Sequence, residues 1–227
     1  MFRSVYDYLQ SELFLAVKRA FPEINISKHD CSLNVAPEHS LCDLSSSIAL
    51  KIGSRNKSLS ITSEKITSFI KYDSYFVKSD PENEFTNYKG FINFKLSRQY
   101  ISTVISNILS MTVDNSKSVA DPITSSVFSE TKSVLSHFDK MVKNHDFQDT
   151  DLELLCTYEE LKVGRSLGIA PLFEDCKPFK NKAYFKNRIA EAFLRFYKKT
   201  RIITPDFKLT SARIALVKAT QNALMVL

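Results

Sequence analysis

Phe91, Asn93 and Lys95 alternate with Ile92, Phe94 and Leu96 along the segment GFINFKLS, residues 90–97. On an extended backbone that alternation separates an apolar stripe from a face carrying an aromatic ring, an amide and an ammonium. A ring of this kind stacks on an unpaired base, an amide reads the edge of the base, and a cation two residues further meets its phosphate. The same pattern also fits an ordinary half-exposed strand in which Phe91 belongs to the core. From the residues alone both readings stand.

Charge supplies the second candidate group. The chain carries +6 overall, but residues 177–227 hold twelve Lys and Arg against two acids, or +10. Residues 119–176 hold five bases against eleven acids, or −6. Such segregation suits a polyanion, though a basic helix face is often only solvated. Lys182, Lys186, Arg195, Lys198 and Lys199 are the candidates for backbone phosphates, contacts that position an RNA without reading it. Phe193 and Phe196 recur at helical spacing and read as core.

Other chemistry finds little support. His29, Cys31, His39 and Cys42 are irregularly spaced for a zinc knuckle, so no metal is expected. The four cysteines contain no CxxC pair and fit reduced thiols. Four scattered glycines make no phosphate-cradling loop, and no nucleophile, base and orienting group stand together, so neither catalytic residues nor a cofactor are expected. No run reaches the roughly 18 apolar residues of a membrane span. The first residues carry charges and lack a small-residue cleavage site, so the cytoplasm is the expected compartment.

These residues need elements to position them. Val5, Leu9, Leu13, Ala16, Val17 and Ala20 predict a helix that Pro22 stops. SSSIALKI (45–52) and SEKITSFI (63–70) read as short helices, YFVK (75–78) as a strand, and 101–109 as an amphipathic helix. The polar stretch 110–121 reads as a linker. Beyond it lie helical patterns at 127–141, from Leu152, at 185–196 and at 214–224. Thr204-Pro205-Asp206 separates the last two, with Thr210 as the expected N-cap. The expected fold is an α+β N-terminal domain over residues 1–112 and an all-α helical bundle over 121–227.

Two groups of motifs resemble arginyl-tRNA synthetase, in that family's order. CDLSSSIALKIG (42–53) and NYKGFINFKLS (87–97) are similar to the "GDYxxNxAxxLA" helix and "GPGFINFxLS" strand of its N-terminal additional domain. FLRFYKKTRII (193–203) and SARIALVKATQNAL (211–224) are similar to its C-terminal anticodon-binding domain, named DALR after its "ARLALVxA" helix. DLELLCTYEEL and ITSSVFSETKSVLSHF fall where that domain opens. The resemblance implies that Phe91 and Asn93 read a base at the tRNA elbow. It also matches Tyr197 and Arg201 to "FYxxxRV" and Arg213 to the Arg of "ARLAL", the last either an RNA contact or a structural fork.

The synthetase's nucleotide-binding domain has no counterpart between the two groups, nor do its "HIGH" and "KMSKS" signatures. SRNKS (54–58) is only a solvated loop by position. Cys42, Ser47, Tyr88 and Lys89 depart from the first motif, and Phe128 and Glu130 stand at the His and Arg of "YxHAR". The chain ends at Leu227, ahead of the family's "LLGI…M" tail, so anticodon reading is not expected to carry over whole. The expectation is a non-catalytic binder of tRNA, an arginine tRNA for instance, that grips elbow and anticodon arm and presents it to a modifying or processing enzyme. The alternative is a docking module for such an enzyme or a synthetase, with little RNA binding. Neither involves a small-molecule substrate.

Overall fold

The structure, a computed structural model, describes residues 5–37, 42–53, 58–77, 87–88, 90–111, 126–144, 146–147, 150–170 and 181–227. It is mostly helical with a small antiparallel sheet, and its contacts divide into two compact units, Met1–Ser97 and Arg98–Leu227.

The first unit opens with α1, Val5–Ala20, whose apolar stripe (Leu9, Leu13, Ala16, Val17) is fully buried. Burial of each such aliphatic side chain contributes about 1.5–3 kcal/mol. Strands β1 (Asn34–Val35), β2 (Leu44–Ser46), β3 (Asn87–Tyr88) and β4 (Phe91–Phe94) form a sheet in the order β1-β2-β4-β3. Between β2 and β3 lie α2, Ile48–Gly53, and α3, Leu59–Thr67. The alternation expected of β4 is present: Ile92, Phe94 and Leu96 are buried, while Phe91 is 39% exposed.

Three local readings need correction. Residues 44–46 form a strand, because Leu44, Ser45 and Ser46 pair with Phe94, Asn93 and Ile92, and the helix begins only at Ile48. The next helix starts at Leu59, four residues before Ser63, and has turned out of helix by Ser68. Of the strand expected at 75–78 the described residues keep a single bridge, Val77 to Leu96, because Tyr75 and Phe76 turn, and Lys78 lies outside the described residues. That turn is held by Tyr8, which stacks on Phe76 at 4.6 Å and donates its hydroxyl to the Lys71 carbonyl at 2.7 Å.

Asp43 fixes where β4 stops. Its carboxylate, 2% exposed, accepts from the Leu96 N–H at 2.9 Å, and its own N–H donates to the Phe94 carbonyl at 2.9 Å. The chain therefore breaks ladder pairing at Lys95 without orphaning a buried amide. Cys31 lies fully buried nearby in sequence, and desolvation pushes its thiol up to about 11.

The second unit begins with α4, Arg98–Leu109, then α5 (Ser126–His137), α6 (Asp139–Lys143), α7 (Tyr158–Ile169), α8 (Lys182–Lys199) and α9 (Phe207–Val226). The sequence reading ended the first domain near residue 112, after this helix. In the structure α4 belongs with the second unit, packing on α7 and α9. Its apolar face (Ile101, Val104, Ile105, Ile108) has helical partners there, and Ile101 reaches α7 where Gly164 leaves room: a Cβ on Gly164 would stand 2.4 Å from Ile101. The linker expected at 110–121 lies almost wholly outside the described residues.

The pattern at 127–141 is two helices, broken at Phe138. Leu152 starts a 3-10 turn, Leu152–Leu154, rather than the helix itself. Helix α7 is capped by Thr157 and Glu160, which exchange side-chain-to-backbone hydrogen bonds. The cap of α9 is Asp206, whose carboxylate accepts from Leu209 N at 3.1 Å. Thr210 lies one turn inside, giving its hydroxyl to the Thr204 carbonyl. Phe193 and Phe196 are both fully buried, 6.1 Å apart, as their spacing predicts. Among the described residues after Ser97 every regular element is helical, and no described helix is long and apolar enough to cross a membrane.

Gly90 carries φ +81° in the tight link between β3 and β4, and an added Cβ would sit 2.6 Å from Leu50 Cδ2. Gly90→Ala is therefore expected to destabilise the protein by about 1–3 kcal/mol, through left-handed strain and displacement of Leu50. A thermal melt indistinguishable from wild type would contradict this account of the turn.

Candidate nucleic-acid interface

On the first unit the outward sheet face is built by register. Ser45 stands opposite Asn93, and Asn34 opposite Ser45, so the three share one face. Phe91 lies on that face, two residues along β4 from Asn93, exposed beside the buried Gly90. Asn93 and Lys95 are half-buried. Phe91 and Asn93 of the expected trio thus share one strand face, with the Phe91 ring outward rather than in the core, while Lys95 lies just past the end of β4. Sequence reading missed Asn34 and Ser45, because strands of two and three residues are too short to show a period.

On the second unit the basic residues part company. Lys182, Arg195, Lys198, Lys199 and Arg201 are exposed. Tyr197, 38% exposed, rests edge-on against Phe138 at 6.2 Å. Lys198 pairs with Glu130 at 2.8 Å and Lys199 with Glu159 at 2.8 Å, yet both lysine side chains keep more than half of their surface. The Lys198–Glu130 pair, open to water on both sides, contributes about 0–1 kcal/mol, so a polyanion can compete for that cation, whereas Glu159 is only 13% exposed and holds Lys199 more firmly.

Lys186 and Arg213 do not belong to this surface. Lys186 is 5% exposed, its ammonium 5.7 Å from the centre of the buried Phe128 ring. Its aliphatic stem sits in the packed side of α8, which removes it from the phosphate candidates. Arg213 is 7% exposed: Nε donates to Glu160 at 2.6 Å and a terminal nitrogen donates to the Arg201 carbonyl at 2.7 Å. Of the two readings left open for it, the structural fork is the one observed. Glu160 in turn accepts from the N–H groups of Cys156 and Thr157 at 3.0 and 2.8 Å. No sequence signal beyond the Thr-x-x-Glu spacing pointed to Glu160.

Among the described residues no group of three or more His, Cys, Asp or Glu side chains is placed to hold a metal ion. His39 and the loop residues 54–57 lie outside the described residues, as does Cys176. Cys31 is buried with a raised pKa, the opposite of an activated nucleophile. At pH 8 a thiol reagent is expected to label the exposed Cys156 in the folded protein and to reach Cys31 only after denaturation, which mass mapping of the adducts would check.

No protein family, curated protein or solved structure matches the chain.

Replacing Arg213 leaves a buried carboxylate without its cation. Arg213→Met is expected to cost about 3–5 kcal/mol in denaturant unfolding. Adding Glu160→Gln should recover part of the loss, because the amide oxygen still accepts from the cap without carrying charge. A single variant within about 0.5 kcal/mol of wild type would show the pair to be incidental.

Proposed function

We propose that the chain is a non-catalytic tRNA-binding protein related to arginyl-tRNA synthetase. In this reading the first unit is similar to the synthetase's additional domain and grips the tRNA elbow. The second is a DALR-like helical bundle on the anticodon arm, and the protein works in the cytoplasm, presenting tRNA to a modifying or processing enzyme. The observation that carries it is the outward pairing of Phe91 and Asn93 on one strand face, an exposed ring beside an amide, at the positions the motif resemblance assigns to base reading. Exposed Arg195, Lys198, Lys199 and Arg201 supply the sequence-independent attraction for phosphates.

A docking module is the second reading. Its support is apolar: Ile203 and Phe207, 52% and 77% exposed, flank the turn before α9. A partner protein would bury them; an RNA backbone would not.

Binding of a folded arginine tRNA transcript, followed by anisotropy across a salt series, tests the choice. Lys198→Ala with Lys199→Ala should weaken all RNAs alike and flatten the salt slope by about one to two units. Phe91→Ala should weaken folded tRNA by about five- to a hundredfold with little change in slope, since stacking releases few counterions. Binding of tRNA no tighter than random RNA of equal length, and indifferent to Phe91, would hand the lead to docking.

A further inference from the structure

We propose that the two lysines closing α8 have separate tasks: Lys198 is a phosphate contact that Glu130 occupies until RNA displaces it, and Lys199 is withheld from RNA as the fixed partner of Glu159. The inference rests on the RNA-binding reading above and narrows its phosphate contacts. It makes Glu130 an internal competitor that sets how tightly phosphate is held.

The lysines are neighbours in the last turn of α8, so the helix dipole favours both alike. Each bonds one carboxylate at 2.8 Å and keeps more than half of its own side-chain surface. The carboxylates make the difference. The Glu130 side chain, on α5, is 49% exposed, and that of Glu159, on α7, only 13%. Glu159 is also bonded on one side alone. Its Oε1 accepts from Lys199, while Oε2 is buried without a hydrogen-bond partner among the described residues.

A phosphate drawing on each lysine meets different resistance. When Lys198 leaves, water reaches Glu130 directly, and the lysine exchanges one anion for another at little cost. When Lys199 leaves, a mostly buried carboxylate loses the one hydrogen-bond donor it has among the described residues. Water can replace that donor only by opening the packing of α7 on α8. Lys199 therefore stays with Glu159, and the contact open to RNA is Lys198.

Two neutral exchanges separate the tasks, because each removes one positive and one negative charge. The probe is a folded arginine tRNA transcript, bound across a salt series. Lys198→Ala with Glu130→Gln should weaken binding and flatten the salt slope by about one unit. Lys199→Ala with Glu159→Gln should leave affinity and slope at their wild-type values. Glu130→Gln alone should tighten binding by about two- to fivefold, and the gain should vanish in Lys198→Ala. A gain that persists without Lys198 would make Glu130 a general repeller of RNA and overturn its role as competitor. Equal slopes for the two exchanges would overturn the division of tasks while the RNA reading stands. Melting needs no RNA: Lys199→Ala is expected to lower the melting temperature by about 3–6 °C, with Glu159→Gln restoring it, and Lys198→Ala to leave it within about 2 °C. Lysine variants that melt alike would overturn the clamp, whatever binds. If wild type binds tRNA no tighter than random RNA and without salt dependence, the RNA reading fails and takes the role of Glu130 with it.

Discussion

The buried pair of Glu160 and Arg213 organises the basic end of the second unit. Glu160 closes the cap of α7 through two backbone N–H groups, and Arg213 joins that cap to the end of the second turn of α9. The remaining arm of the guanidinium holds the Arg201 carbonyl, so the turn between α8 and α9 is tied to the same point. Both ions are almost completely removed from water, which is costly unless each is fully bonded. That requirement sets the geometry: the α7 N-terminus, the end of α8 and the start of α9 must meet where the fork reaches all of them. The exposed cations of FYKKTR inherit their positions from it, and Lys199 adds a second link to α7 through Glu159.

The first unit uses a buried carboxylate in a similar way. Asp43 accepts from Leu96 where the ladder of β4 gives out, just as Glu160 accepts where α7 begins. Each satisfies backbone groups that burial would otherwise leave orphaned. Apolar packing then does the rest, with Leu9, Leu13, Ile66 and Ile92 filling one core and Phe185, Phe193 and Phe196 the other. The Asp of the CDLSSSIALKIG motif is thus accounted for by architecture.

The two candidate surfaces differ in kind. Among the described residues the sheet face presents Phe91, Asn93, Ser45 and Asn34, an aromatic ring with neutral polar groups, which in the proposed role would add selectivity. The end of α8 is cationic and partly neutralised by Glu130 and Glu159, and in the proposed role it would add affinity that salt erodes. Division of labour between positioning and reading is common to nucleic-acid binding, and under the proposed function it would assign Lys198 and Phe91 to different tasks.

Long periodic segments were legible in the sequence because period and burial coincide. The stripes of α1, α4 and α8 and the alternation of β4 all came out as their apolar residues required. The segments that failed are short or decided by a distant partner. Ser45 and Ser46 look helical beside IALKI, but pairing with β4 draws them into a strand. Thr210 looks like a cap, but Asp206 reaches the free N–H first. For the candidate site, the sequence by itself determined that Phe91 and Asn93 share a face, since alternation on one strand needs no other information, whereas Lys95 falls past the end of that strand. Only the tertiary structure decided which cations stay in water, turning Lys186 and Arg213 inward, and which residues stand beside Asn93. The reason is physical: register across strands and the reach of a buried guanidinium join residues far apart in the chain, and local spacing carries no record of them.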